Sequence, residues 1–263
     1  MPGFSPAGFE LIFMRILVTF AVEAEFAPWR KQREFRCIAK VPFEIYDADV
    51  GQHTVRVLLT GIGWECATRT TASVMEDVFD ACISSGLVGG LKAEYRAADI
   101  LAFREVGEIS GERKMTSSRW LLDQATKQGA CIAGKLLTSK KLVLTTEEKK
   151  RIGLFGDAVD MESFRVMAAA QGRGIPSLTL RAISDTVEED LPMDFSEHVS
   201  QSGQIAVGRI LGKIAFSPQI IPTIIRFGSR TKRVTERLDE FLDAFILGLR
   251  ADSVASLEEV AAR

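Results

Sequence analysis

The chain has 263 residues, 46% of them hydrophobic, and its 33 basic and 35 acidic side chains leave a formal net charge of -2. This size allows one large buried core, and the near-neutral charge excludes a bulk attraction to nucleic acid, so a small molecule is the expected partner. The four cysteines lack paired spacing and only two histidines are present, which argues against a disulfide framework and a zinc site. We therefore expect reduced thiols in a cytoplasmic protein.

The first part of the chain predicts a tail, an inner strand and a turn that carries carboxylates. Residues 1–13 lack the basic start and the cleavage site of a secretory signal, and we interpret them as a disordered or loosely attached tail. The nearly continuous apolar run from Ile16 to Phe20 predicts an inner strand. Acidic residues in the following Ala21-Val-Glu-Ala-Glu25 suit the start of a helix.

A strand and a glycine-containing turn come next. Apolar residues alternate between Val50 and Leu59 and predict a strand, after which Gly61 and Gly63 lead into a helix from about residue 65 to residue 79. Glycines at such a turn let the backbone approach an anion or a sugar closely. A plain strand-to-helix turn has the same sequence.

The middle of the chain alternates strands with helices. It predicts, in order, a strand, a polar loop or hairpin, a helix and a further strand: Asp99–Phe103, 104–118, Trp120–Gln128 and Ala130–Thr138. Lys140 and Lys141 then predict a solvated turn. Thr145 to Gly153 predicts a capped, charged helical turn. Surface positions are expected for His53 and His198, since neither has a metal-like or triad partner in the sequence.

The strongest indication of a site comes from Val159-Asp-Met-Glu162 read together with the segment that ends at Asp185. The segment from Ile175 to Asp185 is rich in β-favouring apolar residues and predicts a buried strand, and the residues between the two segments predict a helix over 163–171. Ligands of open α/β sheets bind outside the carboxyl ends of the strands, where we expect both carboxylates. Taken alone, Glu162 is also explained as a residue that suits a helix start, and Asp185 as an ordinary turn residue.

Taken together, Asp-Met-Glu162, a short helix and Arg-Ala-Ile-Ser-Asp185 resemble the purine nucleoside phosphorylase/uridine phosphorylase-like superfamily, and most closely its methylthioadenosine/S-adenosylhomocysteine nucleosidases. The resemblance runs from Met14 to Phe216 and implies an α/β protein with a three-layer fold, in which helices flank a central mixed sheet. It also implies that Met161 and Glu162 hold the ribose hydroxyls and that Asp185, next to the substrate-binding residue Ser184, protonates the leaving purine. Glu25, or Glu23 as the alternative, would activate the attacking water.

The glycine-rich segment 81–90 resembles the family's Gly-Ser-Ala-Gly-Gly loop beside the ribose, but Leu87 follows Gly86 where the family has serine. No arginine stands shortly before it, so the usual phosphate donors are absent and hydrolysis is favoured over phosphorolysis. Gly61 and Gly63 are expected on the nucleophile side. This form of the loop also resembles the hopanoid-associated phosphorylases, relatives proposed to remove adenine from a nucleoside that carries a polycyclic lipid.

The purine wall departs from the family as well. Val143 stands where the nucleosidases have an aromatic residue, and losing that stacking contact removes about 1 kcal/mol of interaction beyond burial. The resemblance implies cleavage of the N-glycosidic bond of a purine nucleoside, with adenine as the expected base and methylthioadenosine or S-adenosylhomocysteine as the expected type of substrate, by a homodimer without a metal or organic cofactor. Two alternatives stay open: a phosphorylase acting on a lipid-linked adenosine in hopanoid synthesis, and a non-catalytic nucleoside-binding module.

The end of the chain predicts helices. Residues 201–216 are expected to form the last helix of the nucleoside phosphorylase-like domain, which we place at 14–216, and residues 217–263 a helical extension. Within the extension, residues 229–249 combine an apolar face with basic residues on the other face. Such a helix packs on the core or on a second subunit, or it forms a lid or makes a weak contact with a membrane surface.

Overall fold

The computed structural model describes residues 13–109, 111–194 and 221–249. The predicted tail up to residue 12, the predicted helix at 201–216 and His198 lie outside the described residues, so these expectations stay predictions. The family-like domain and the extension are described below through the elements that fall inside those three ranges.

The described residues form eleven strands and six helices. The strands are β1 (Arg15–Phe20), β2 (Arg36–Ala39), β3 (Ile45–Val50), β4 (His53–Leu59), β5 (Ala81–Ser84), β6 (Leu87–Gly90), β7 (Ile100–Glu108), β8 (Lys114–Thr116), β9 (Cys131–Thr138), β10 (Ala158–Asp160) and β11 (Ser177–Asp185). The helices are α1 (Glu23–Gln32), α2 (Trp64–Val74), α3 (Arg119–Lys127), α4 (Thr146–Ile152), α5 (Ser163–Gly172) and α6 (Ile221–Gly248).

All eleven strands belong to one sheet, in the order β2-β3-β4-β1-β5-β11-β6-β10-β9-β7-β8, and β11 also pairs with β7. β11 runs parallel to β5 and β6 but antiparallel to β7, so the sheet is mixed, as predicted. Every residue of β11 is buried, which explains its run of apolar residues. The predicted α/β fold, a mixed sheet flanked by helices with a C-terminal helix, is confirmed.

Glu162 and Asp185 approach each other through β6 and not through two parallel strand ends. β6 pairs in parallel with β11, where Asp185 lies opposite Gly89, and antiparallel with β10, where Val159 lies opposite the same Gly89. The register of β11 shifts between Ile183 and Asp185. Such a bulge turns side chains out of the regular alternation, and here it puts Ser184 and Asp185 side by side at the strand end.

Several element boundaries and one placement differ from the sequence-based expectations. β2 and β3 were not predicted, and α2 ends at Val74. For the polar segment 104–118, predicted as a loop or hairpin, the hairpin is confirmed, because β7 pairs with β8. The surface position expected for His53 is wrong: its ring is fully buried, and its Nε2 lies 3.2 Å from the carbonyl oxygen of Leu249. Burial lowers the pKa of this imidazole.

Helix α6 packs on the core with its apolar face. Its residues Val234, Leu238, Leu242, Phe245 and Ile246 are buried in the same hydrophobic cluster as β1, β4 and α1. The contact with α1 is also polar, because the backbone N–H and the indole N–H of Trp29 donate to Asp239 and Asp243, each at 2.9 Å. None of the helices in the described ranges combines the length and the hydropathy of a membrane-spanning segment.

Candidate active site

A cavity of about 200 Å³ opens where the β1–α1 turn, β6, β10 and β11 meet. Seven residues predicted for the site line it: Glu25, Leu87, Val143, Met161, Glu162, Ser184 and Asp185. Ala21 and Val22 on one side, and Leu191 and Phe227 on another, complete much of its apolar wall. The sequence therefore predicted most of the side chains that the fold brings together here.

Glu25 is held by three backbone amides. Its Oε2 accepts from the N–H groups of Ala21 and Val22 at 3.0 and 3.3 Å, and its Oε1 accepts from the N–H of Leu87 at 2.9 Å. Burial raises the pKa of its carboxyl, while the charge of Arg181 and the amides act in the opposite direction. A carboxylate oriented in this way is suited to take a proton from a water molecule in the cavity.

The alternative Glu23 points elsewhere. It is half-buried in the first turn of α1, and its Oε1 pairs with the Arg30 guanidinium at 2.7 Å. It is absent from the lining of the cavity as far as the described residues define it. The geometry therefore favours Glu25 over Glu23 for a role in the cavity.

Glu162 precedes helix α5 and faces the glycine turn before α2. Its Oε1 accepts from the backbone N–H of Gly63 at 2.6 Å. Burial, and then the nearby charge of Asp160, raise the pKa of the Glu162 carboxyl, so its protonated form is favoured and can donate to a sugar hydroxyl. Met161 lines the cavity beside it.

Arg181 lies behind these carboxylates in the middle of β11. Its Nη2 donates to Asp160 Oδ2 at 2.8 Å and to Ser163 Oγ at 2.6 Å, and its Nη1 donates to the carbonyl oxygen of Ser85. A charged residue inside a fully buried strand has to be paired, so the position of Arg181 within the predicted strand was a signal for a buried ion pair.

Asp185 lies at the end of β11 with both carboxylate oxygens occupied. Its Oδ1 accepts from the hydroxyl of Ser184 at 2.5 Å, and its Oδ2 accepts from the ammonium of Lys149 at 2.5 Å. The sequence predicted Lys149 only as one of several charges on a helical turn. Nothing in the sequence of α4 separates this lysine from its exposed neighbours, because its burial depends on a loop more than 30 residues away.

The predicted glycines lie at the edge of the cavity and do not line it. Gly86 has φ +137°, and a Cβ there would collide with Arg181 Nη1 and stand 3.0 Å from Glu25 Oε1, so a side chain at this position is strongly disfavoured. Gly63, with φ +93°, acts through its N–H on Glu162. Gly61 also has a positive φ and forms the turn that precedes it.

Val143 is part of the cavity wall, as predicted, but an aromatic residue reaches the same cavity from elsewhere. Phe227 of α6 is half-buried, lines the cavity and lies with its ring centroid 5.7 Å from the guanidinium carbon of Arg230. Lys141 also lines the cavity and is exposed, in agreement with a solvated turn. Phe227 was not predicted, because its contribution requires α6 to fold back across the sheet.

The fold and this arrangement define a member of the phosphorylase superfamily, whose family model matches residues 15–214 of the chain. The chain belongs to this superfamily.

Individual relatives give a more detailed comparison. The 5′-methylthioadenosine/S-adenosylhomocysteine nucleosidase of Shewanella pealeana is 27% identical over 176 residues, which cover 57% of this chain and 76% of the relative. The structure of the nucleosidase of that name from Neisseria meningitidis, in complex with methylthio-immucillin-A, has a TM-score of 0.69 at 17% identity and covers 90% of this chain and 100% of that chain. The S-adenosylhomocysteine nucleosidase of Streptococcus pyogenes, in complex with 5-methylthiotubericidin, has a TM-score of 0.71 at 15% identity and covers 92% and 99%. At these identities the solved structures show the shared fold.

Proposed function

We propose that this protein hydrolyses the N-glycosidic bond of a purine nucleoside and releases the free base. The observation that carries the proposal is that Glu25, Glu162 and Asp185 line one cavity although they lie far apart in the sequence. A binding module needs no such set, because shape and a few hydrogen bonds suffice to hold a nucleoside. Three carboxylates with different neighbours can take different parts in acid–base chemistry.

We assign the roles as the resemblance to the nucleosidases implies. Glu162 and Met161 hold the ribose, and Asp185 stands at the purine. As the bond between C1′ and N9 breaks, its electron pair moves into the purine, and N7 takes up a proton by way of Asp185. Glu25 accepts a proton from the water whose oxygen binds C1′. The sugar passes through a state with oxocarbenium character, which nearby carboxylates stabilise.

Hydrolysis is proposed over phosphorolysis because the cavity has few anion donors. Among its described lining residues, Lys141 is the only cationic side chain, and it is exposed. The backbone N–H of Leu87 is already used by Glu25, and Arg181 is engaged with Asp160. A phosphate ion would therefore meet carboxylates where it needs donors.

The proposed substrates are adenine nucleosides with an apolar 5′ substituent, such as methylthioadenosine or S-adenosylhomocysteine. The names of the relatives support this class, and so does the apolar wall formed by Val143, Leu191 and Phe227. We further propose a cytoplasmic homodimer. The free state of all four cysteines is in line with this location, and light scattering of the purified protein measures the assembly.

A panel of nucleosides tests the proposed function. Methylthioadenosine, S-adenosylhomocysteine, adenosine and inosine are each incubated with the protein, with and without phosphate, and the free base is quantified. We expect release without phosphate and no stimulation by phosphate. Release that requires phosphate would replace hydrolysis by phosphorolysis, and no release from any of the four would favour a lipid-linked nucleoside or the binding module.

A 7-deaza purine nucleoside is the matched control for the acid step. It has the same shape, but a C–H group replaces N7, so it has no site for the proton that is supplied by way of Asp185. We expect it to compete with methylthioadenosine for the cavity and to stay uncleaved. Cleavage of the 7-deaza compound at a similar rate would contradict protonation at N7.

A further inference from the structure

Lys149 has an unusual position for a lysine. It lies on the short helix α4, its side chain is 0% exposed, and its Nζ has three acceptors. These are Oδ2 of Asp185 at 2.5 Å, the carbonyl oxygen of Thr186 at 2.9 Å and the carbonyl oxygen of Glu189 at 2.5 Å. An ammonium group has three N–H donors, and each one finds an acceptor here.

All three acceptors belong to the end of β11 and the loop that follows it. The same loop is fixed from the other side, because Glu189 accepts from the N–H of Thr186 at 2.9 Å and pairs with Arg230 of α6. The adjacent Lys150 differs, since it is exposed and pairs with the exposed Glu188 at 2.9 Å. Burying a lysine costs free energy because its ammonium loses its hydration, and pairing offsets only part of that cost. Lys149, which contacts the proposed acid, is the one lysine of α4 that bears this cost.

The ion pair raises a question about the proposed reaction. A carboxylate that faces an ammonium at 2.5 Å is an acceptor, whereas the leaving purine needs a donor. Lys149 Nζ is the donor of this pair. A proton from Lys149 can reach the substrate only through Asp185, because Asp185 lines the cavity and Lys149, among the described lining residues, does not.

We propose that Lys149 positions the Asp185 carboxylate and supplies, through it, the proton that the leaving purine takes up. The inference rests on the proposed hydrolase function. Lys149 is a positioning residue, because it acts on the substrate only through Asp185.

The step is balanced as follows. Asp185 gives a proton to N7 and receives one from Lys149, so the carboxylate is regenerated and the ammonium becomes an amine. The bond between C1′ and N9 breaks with its electron pair on the purine, and the water oxygen binds C1′ while its proton passes to Glu25. The total charge of the site is unchanged. When the products leave, Glu25 releases its proton to solvent, and solvent returns one to Lys149 by way of Asp185.

The three-acceptor geometry fits both states of the nitrogen. As an ammonium, Lys149 donates to Asp185, Thr186 and Glu189. As an amine, it keeps two N–H donors, which serve two of the three acceptors until solvent restores the third proton. Both states leave every N–H of this buried nitrogen with an acceptor.

Comparing two leaving groups tests the proposal. Methylthioadenosine needs a proton on the base, whereas a 4-nitrophenyl riboside releases a stable anion and needs none. We expect Lys149→Met to lower kcat for methylthioadenosine by about 100-fold or more, with KM nearly unchanged, and to lower kcat for the nitrophenyl riboside only a few-fold. The matched control is Lys150→Met, the neighbouring exposed lysine, which is expected to change neither rate.

Two further variants keep the test decisive if Lys149→Met unfolds. Lys149→Arg retains the charge, but a guanidinium does not give up its proton, so this variant is expected to leave purine turnover low as well. Circular dichroism with thermal melting shows which variants fold. In an Asp185→Asn background, adding Lys149→Met is expected to produce no further loss, because the lysine acts through that carboxylate. An additional loss in the double variant would contradict this.

The outcomes separate the two proposals. If the wild-type protein cleaves methylthioadenosine and Lys149→Met lowers the rates of both substrates equally, or of neither, the role of Lys149 is overturned and the hydrolase function stands. If the wild-type protein cleaves neither substrate, the function is overturned, and the role of Lys149 falls with it.

Discussion

The two carboxylates proposed as base and acid, Glu25 and Asp185, are held in contrasting ways. Glu25 is bound by three neutral backbone amides, whereas Asp185 is bound by a buried ammonium and one hydroxyl. Both side chains are largely buried, at 9% and 4% exposure, so burial alone does not distinguish them. Their neighbours do.

The difference indicates which way protons move at each end of the cavity. Amides orient a carboxylate without bringing a proton to it, so Glu25 is equipped to collect a proton. The Lys149 ammonium brings an acidic N–H to Asp185, so that end is equipped to deliver one. One pocket thus obtains a base and an acid from two carboxylates of ordinary chemistry.

Removing the acid should produce the largest effect and only for substrates that need it. We expect Asp185→Asn to lower kcat for methylthioadenosine by about a thousandfold and to have little effect on a 4-nitrophenyl riboside. Steady-state kinetics with both substrates measures the contrast. The control is Asp190→Asn on the same loop, where the exposed carboxylate accepts from the N–H of Thr146 at 2.7 Å. Near-wild-type turnover of methylthioadenosine by Asp185→Asn would remove this residue from the mechanism.

Removing the base should affect both substrates alike. Water attacks C1′ whichever group leaves, so we expect Glu25→Gln to lower kcat for each substrate by about 100-fold. Glu23→Gln is the matched control, because it changes a carboxylate of the same helical turn that faces Arg30. A loss confined to methylthioadenosine would mean that Glu25 acts on the leaving purine and not on the water. The roles proposed for Glu25 and Asp185 would then be reversed.

The pH profile sharpens the assignment of Glu25. Burial raises the pKa of its carboxyl, and the ionised form that accepts a proton is lost as the pH falls through that pKa. We therefore expect kcat/KM for the nitrophenyl riboside to decline on the acid side at a pH above the usual glutamate value of 4.5. The pKa of Glu162 is raised as well, so the profile is repeated with Glu162→Gln. An acid limb that disappears in that variant would belong to Glu162.

The smallest expected effect lies on the apolar wall, away from both carboxylates. Phe227→Ala removes an aromatic contact with the substrate of about 1 kcal/mol, which corresponds to a rise in KM of about fivefold with kcat nearly unchanged. Phe155→Ala, at an exposed phenylalanine, serves as the control. A large fall in kcat would mean that Phe227 supports the carboxylates as well as the wall.

The sequence was informative where local pattern and chemistry coincide. The apolar run before Asp185 predicts a buried strand, and the acidic turn at Glu25 follows another, so both carboxylates could be placed at strand ends. Glu162 was expected near Asp185 because the carboxyl ends of parallel strands meet at one edge of a sheet. The two segments do meet, but β10 runs antiparallel to β6, and they lie on either side of Gly89 in β6.

Contacts between distant segments could not be predicted from the sequence. Lys149 is buried only because the loop after β11 covers it, and His53 is buried because the end of α6 packs over it. Phe227 reaches the cavity for a related reason, since its helix returns across the sheet. These three residues carry no local signal, because their environments are made by partners more than 30 positions away.

The amide of Leu87 bears on how this loop can change in evolution. Glu25 accepts a hydrogen bond from the backbone N–H of residue 87, so an exchange between serine and leucine there leaves this contact in place. Such an exchange adds or removes one hydroxyl donor for an incoming anion without removing the hydrogen bond to Glu25. The neighbouring Gly86 offers no such freedom, because any side chain would collide with Arg181 and Glu25.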